Sequence, residues 1–533
     1  MKGAFRQSMT WLHTWSGLVF CWVLYFMFVT GTLGYFDTEI DHWMMPEQAP
    51  AADVPVADAY TVAQRHLETT AAGADRWFVA HASGREEPQL RVFWQMPRPE
   101  GADEIDPETL RGNEQLDALT GEPLPALERA TGGGQLLYRM HYILHYLDSE
   151  TAYRIVGVIT MLMFLAMVTG IVVHKKIFKD FFTFRPGRGQ RSWLDMHNLL
   201  SVSSLPFLLM ITYSGLIFMV TTWMPGVALG SYGFDTQKAQ AELGALLNNT
   251  PPERSGEDAE TLDLSTFVAQ ADAEWGEGHV RSLNVQLPGD ANARVVVNEK
   301  VTKGVSGFGR QLVFDGTTGE RLQATDGAPN AAIGVAAVFI GLHEGLFAGP
   351  VLRWLYFFAG LVGTAMVATG AIYWTAKRRK SVPDSEQSLG FRFVECTNIG
   401  TIVGLPVAIA AFFWANRLLP LGFEGRADWE AHVLFIVWGS CLIYPLLRPR
   451  LAAWRELSWA AAFACGFLPL LNALTTEKHL LNTIAAGDWV MAAFDLTALV
   501  FGVLFALLAS RIRKPAANLQ AFDDETTPSV AVS

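Results

Sequence analysis

Charge and cysteine are scarce in this chain, and it has no basic excess. Only 17% of its 533 residues are Asp, Glu, Lys or Arg, half are hydrophobic, and there are 17 Trp and 34 Phe. So little charge with so many aromatics excludes an ordinary soluble protein and fits a mainly α-helical, polytopic membrane protein. The net charge of −12 excludes a nucleic-acid partner, because a phosphate backbone is bound by a basic surface. Cys21, Cys396, Cys441 and Cys465 all lie in or beside apolar runs, so neither a disulfide framework nor a Cys-x-x-Cys metal site is expected. No Gly-x-Gly-x-x-Gly follows a strand-like run, which excludes a dinucleotide fingerprint. The first apolar run lacks a small-residue cleavage site and is longer than a signal-peptide core, so it reads as a retained anchor.

What the chain does have is long apolar runs. Trp11 to Phe36 is almost uncharged and exceeds the roughly 20 residues that cross about 30 Å of hydrocarbon. Further runs near 153–173, 197–223, 354–374, 399–418, 432–447, 459–474 and 489–509 bring the expected crossings to eight. Lys2 and Arg6, the loop Lys175 to Trp193, Lys377 to Lys380, Arg448 to Arg455 and Arg511 to Lys514 fall on one side, which the positive-inside rule makes cytoplasmic. Both termini are then cytoplasmic, and the two long polar regions face the periplasm of a bacterial inner membrane. The 513–533 tail is expected to be disordered.

The chain also repeats itself. His13 leads the first run and His197 the third, and each is followed at the same interval by a glycine, Gly31 and Gly215. In the polar regions Asp117 to Glu122 and Asp315 to Glu320 share the pattern D-x-x-T-G-E. The interval from Gly121 to His145 equals that from Gly319 to His343. Thr169-Gly170 matches Thr369-Gly370. The unit is a histidine-led helix, a small extracytoplasmic domain, a histidine and a returning helix. Two parallel copies imply a pseudo-two-fold axis along the membrane normal. The expected segments are 1–36, 37–140, 141–176, 177–196, 197–224, 225–333 and 334–380 for the repeat, then 397–512 for four more helices and 513–533 for the tail.

The D-x-x-T-G-E turn after a helix-then-strands pattern, and the H-x-x-x-G start of the first helix (His13 to Gly17) with its later Thr-Gly, resemble the PepSY-associated transmembrane proteins. That family includes inner-membrane ferric-siderophore reductases of the ferrioxamine-reductase type. The resemblance covers roughly 1–380. It implies two periplasmic PepSY-like α+β domains, a four-helix core holding two b-type haems, a ferric siderophore as substrate, and a cytoplasmic reductase or reduced carrier as donor. The last four crossings lie outside it. Other readings of the same residues are a different periplasmic acceptor, a non-redox module that binds a peptidase, and a transporter whose last four helices carry a substrate.

Ionisable groups in hydrocarbon are costly and usually serve a pathway or a cofactor. Topology sorts the membrane histidines into an inner layer of His13, His174 and His197 and an outer layer of His141, His145 and His343. Two imidazoles on opposite sides of a porphyrin leave its iron suited to electron transfer, so the expected pairs are His13 with His197 and His145 with His343. His174, whose repeat counterpart is Trp374, is a rival ligand or a hydrogen-bonding neighbour. His141 lies one turn from His145 and reads as a neighbour of the ligand or an alternative to it. Gly17, Gly31, Gly170, Gly215 and Gly370 make room for a flat macrocycle or for close helix packing. Arg154 and Arg353 pair with propionates or reach to headgroups. His42, His66, His81 and His279 fall in polar loops and read as solvated. A break is expected between His145 and His174, since that interval would make about 43 Å of straight helix.

Overall fold

The computed structural model describes residues 2–48, 54–81, 89–99, 107–174, 183–219, 235, 251–301, 304–325, 331–379 and 388–512. The tail at 513–533, Lys380, and parts of the 177–196 and 225–333 segments lie outside them.

The first copy of the repeat contains α1 (Lys2–Val19), α2 (Cys21–Gly34), α3 (Asp37–Met44), α4 (Val56–Thr70), β1 (Arg76–Ala80), β2 (Leu90–Gln95), β3 (Arg111–Leu116), α5 (Gly133–Tyr142) and α6 (Ser149–Val173). The second contains α7 (Gln190–Ser203), α8 (Leu205–Phe218), α9 (Leu264–Trp275), β4 (Val280–Gln286), β5 (Arg294–Glu299), β6 (Gln311–Asp315), β7 (Arg321–Thr325), α10 (Ala331–Glu344) and α11 (Pro350–Arg379). A third block holds α12 (Leu389–Ile402), α13 (Gly404–Leu418), α14 (Arg426–Ile443), α15 (Arg450–Gly466), α16 (Leu468–Thr475), α17 (Leu480–Ala486) and α18 (Trp489–Arg511).

Six spans among the described residues are long and apolar enough to cross a membrane, and two bent pairs raise this to eight. The chain is a mainly helical, multi-pass membrane protein. The histidine-led spans are the bent ones: α1 turns by 63° into α2, and α7 by 66° into α8. The breaks fall at Phe20 and Ser204, each at the same distance along the chain from its leading histidine, His13 or His197. Pro206 accounts for the second, because it withholds an amide from the preceding turn. No proline marks the first. The returning helix α6 starts afresh at Ser149, where the Asp148 carboxylate accepts from the Thr151 amide at 2.9 Å and satisfies one of the orphan donors of the first turn.

The two polar regions do not stand as separate domains. Their strands form one antiparallel sheet in the order β3-β2-β1-β4-β5-β6-β7. The seam is β1 against β4, from Arg76 opposite Gln286 to Ala80 opposite Ser282. Period-2 alternation puts Val79, Val92, Leu283, Val285, Val297 and Phe314 on the face that α4 and α9 cover, where all are buried. Each D-x-x-T-G-E segment is a hairpin turn closed by its own side chains. Asp117 accepts from the Leu119 and Thr120 amides, and Asp315 from those of Thr317 and Thr318. Gly121 and Gly319 sit at φ 75° and 74°, which only glycine adopts without strain. The Thr120 and Leu119 amides hold the Asp117 carboxyl below its ordinary range. Of the loop histidines, His66 lies 2.7 Å from Glu114 and His81 is buried, so neither is the solvated residue its position suggested.

The third block is tied to the repeat by a buried polar network near α3. Arg417 lies 3.7 Å over the Trp43 ring and reaches the Trp43 carbonyl. Asp495 accepts from the Trp43 indole at 3.0 Å and from Asn472 at 3.1 Å. Arg426 pairs with Glu430 at 2.6 Å, both wholly buried, and Glu430 accepts from Thr131 and Asn416. Arg129 binds Glu47 and the Asn416 carbonyl. Every buried charge here has a partner, which burial demands.

Candidate functional site

Four histidines are built into the core in one way. A ring Nδ1 meets a backbone carbonyl, and the ring lies over a glycine one turn further along that helix. His13 Nδ1 is 2.8 Å from the Ala166 carbonyl and over Gly170, where an added Cβ would stand 3.1 Å from the ring. His197 is 3.0 Å from the Met366 carbonyl and over Gly370. His141 is 2.8 Å from the Met27 carbonyl and over Gly31. His343 reaches the backbone of Ile211 and lies 2.8 Å from the Ser214 hydroxyl, over Gly215. A carbonyl can only accept, so Nδ1 carries the proton and Nε2 keeps its lone pair on the far side of the ring. A side chain at any of the four glycines would press on the imidazole, whereas Gly17 faces open space.

The rings meet in pairs. His13 and His197 have centroids 6.4 Å apart, and His141 and His343 6.1 Å apart. Two imidazoles sharing one metal through bonds of about 2.0 Å would have ring centres about 6 Å apart. Each pair is a donor set that would suit a haem iron, a group able to supply one-electron chemistry there.

His145 is placed elsewhere. Its ring stacks on Phe435 at 5.5 Å and touches Tyr146 at 4.2 Å, and it lines neither cavity described below. The stretch from Gly121 to His141 is about one helical turn shorter than that from Gly319 to His343. Equal spacing thus pointed one turn too far along. His174 lines the inner cavity without joining the ring pair, and its Nδ1 is buried with no partner among the described residues. Arg154 pairs with Glu150 and is 62% exposed, away from both layers. Arg353 faces the outer cavity, pairs with Glu39 and lies 5.7 Å over Phe36.

Each pair opens on a cavity. The outer one, about 1340 Å³, runs from His141 and His343 to Gln89, Arg91, Gln115 and Arg281 of the sheet region. The inner one, about 1920 Å³, surrounds His13 and His197. Leu24 and Met163 border both. On α11, Gly360 faces the outer cavity and Gly370 the inner, which puts the layers about 15 Å apart at 1.5 Å per residue. Asp41, which sequence reading passed over, borders the outer cavity. Burial pushes its carboxyl up to about 7, helped by Asp37 and opposed by the Gly134 amide.

The model of the PepSY-associated TM region matches residues 10–377. The chain belongs to that family. An uncharacterized protein of Pseudomonas aeruginosa is 26% identical over 390 residues, which cover 69% of this chain and 92% of the relative. In this PepSY-associated transmembrane protein the family match contains both histidine pairs and most of the lining of each cavity, and it ends before α12, whose Gly390, Phe391 and Val394 complete the wall of the inner one.

Proposed function

We propose that the protein carries single electrons across the membrane through two b-type haems, one in each cavity, and reduces a ferric siderophore in the outer cavity. The observation that supports this most is the fourfold use of one construction: imidazole, carbonyl and glycine, arranged as two facing pairs at 6.4 and 6.1 Å. A haem b bound there supplies a reversible one-electron couple.

The chain's own groups do the rest. The carbonyls of Ala166, Met366 and Met27 fix the imidazole tautomer and make Nε2 a better donor. Leu24 and Met163, nearly buried, fill the space between the layers and keep water from it. Arg353, whose Nε is buried without a partner among the described residues, stands where a propionate carboxylate would meet it. The seam between β1 and β4 joins the two copies, which supports an acceptor site beneath the sheet, among Gln89, Arg91, Gln115 and Arg281, rather than between two domains. Hard oxygen donors hold ferric iron far more tightly than ferrous, so one electron loosens it. The Arg and Lys pattern supports an inner cavity that faces the cytoplasm of a bacterial inner membrane.

The test is to reduce the purified protein, remove the reductant and add a ferric hydroxamate without oxygen, together with a ferrous trap. The expected result is haem reoxidation with one trapped Fe(II) per electron. Reoxidation by other oxidants, with a panel of ferric chelates inert, would move the reading to another periplasmic acceptor.

A further inference from the structure

The two cavities differ in charge. Among the described residues lining the outer one are three arginines and four carboxylates, a near balance. Among the described residues, the inner one is lined by seven Lys or Arg and one carboxylate, Asp195. Asp195 binds Arg185, and Glu395 binds Arg379. That leaves Arg6, Arg188, Arg191, Lys377 and Arg378 in excess. They come from α1, from the turn before α7, from α7 itself and from α11, so the mouth is flanked by cations from several elements. A haem carries two propionates. If two of the five cations paired with them, three would remain.

The wall of this cavity is unlike a plain positive-inside rim. Trp374 stacks on Phe391 with centroids 6.3 Å apart, and Arg378 covers the indole at 3.7 Å. Trp374 Nε1 and His174 Nδ1 are both buried with no hydrogen-bond partner among the described residues, and they occupy matching places in the two copies. Both residues line the cavity, so a ligand that enters it would meet these polar atoms. The volume of about 1920 Å³ is also about twice the upper end of ordinary small-molecule pockets, enough for a macrocycle and a second planar ligand.

We propose that the inner cavity binds a phosphate-bearing planar electron donor of the reduced flavin mononucleotide class. Its ring lies along the edge of the Trp374–Phe391 stack, and its phosphate meets Arg188, Arg191 and Lys377. The electron step rests on the haem reading above. The flavin hydroquinone gives two electrons, one at a time, reducing two ferric haems to ferrous, and releases two protons on the inner side. The phosphate anchors the donor while a ring carbonyl accepts from the Trp374 Nε1–H group.

The test uses full-length protein in detergent. Its haem content is measured by pyridine haemochrome, and flavin binding by quenching of flavin fluorescence. Flavin mononucleotide is compared with riboflavin, which has the ring without the phosphate. The expected preference for the mononucleotide is about tenfold, from three charge contacts at a partly screened surface. It collapses in the R188Q/R191Q/K377Q variant while haem content stays unchanged. W374F weakens both flavins alike. Equal affinity for the two flavins, no binding of either, or an unchanged preference in the triple variant overturns the proposal. Haem and flavin are read by separate signals, so haem-replete protein that ignores the mononucleotide sinks this inference alone. Haem-free protein that still binds it sinks the electron route alone.

Discussion

The glycines beneath the four imidazoles make a graded prediction. A Cβ at Gly31 would fall 2.5 Å from His141 Nδ1, at Gly370 3.0 Å from His197, at Gly170 3.1 Å from His13 and at Gly215 3.3 Å from His343. Ordinary contact starts near 3.4 Å, so G31A must push the His141 ring by about 0.9 Å whereas G215A needs about 0.1 Å. A displacement of that size breaks the 2.8 Å bond to the Met27 carbonyl, which is worth about 0.5–1.5 kcal/mol. Overpacking adds about 1–3 kcal/mol. Against this, Gly to Ala inside a helix gains about 0.8–1 kcal/mol. The net is a loss of about 1–3 kcal/mol for G31A and near neutrality or a small gain for G215A. Haem content by pyridine haemochrome reads the outcome. G31A is expected to lose the outer haem and keep the inner, and G215A to keep both. G31A protein with full haem content and an unchanged spectrum would refute the account of these glycines.

Other outcomes follow from the same geometry. H141A should lose the outer haem while H145A keeps both, since His145 stacks on Phe435 rather than facing His343; the spectra of the two variants decide it. The raised Asp41 carboxyl keeps its proton in the folded chain between the ordinary 3.8 and about 7, where the unfolded chain has lost it. Stability in thermal melts should therefore fall as pH rises through that window, and D41N should flatten the slope. E430Q leaves Arg426 buried without its counter-charge and should cost about 3–5 kcal/mol in denaturant unfolding, whereas removing both charges in R426M/E430L should cost far less.

The duplication was legible in the sequence because helix-leading histidines, glycines and hairpin turns recur at fixed intervals: His13 and His197, Gly31 and Gly215, Asp117 and Asp315. The partner of His343 in the outer ring pair was not. Measured back from the Thr-Gly pairs, the interval from His343 to Gly370 falls midway between those from His141 and from His145 to Gly170, so both candidates were equally distant from the match. Only the helix break between Tyr142 and Ser149 settles which turn faces inward. The joined sheet was hidden as well, since β1 and β4 come from opposite copies of the repeat and each alternates like a strand with its own neighbours. Of the two bends, Pro206 was a signal, whereas Phe20 gave none. In the third block, Asn416, Asn472 and Asp495 stood as isolated polar residues in apolar runs; their shared network appears only when α13, α16 and α18 come together beside Trp43.

The central claim is that two layers of paired imidazoles each hold a haem. It is tested most directly by the haem stoichiometry of the purified protein, made with ample haem, and its absorption before and after dithionite. The account predicts two haems per chain, low-spin with two nitrogen ligands, a Soret shift on reduction, and loss of about half the haem in H13A, H197A, H141A or H343A while H145A and H174A retain both. Protein without a Soret band, or single variants of all four paired histidines that keep their full haem content, would contradict it.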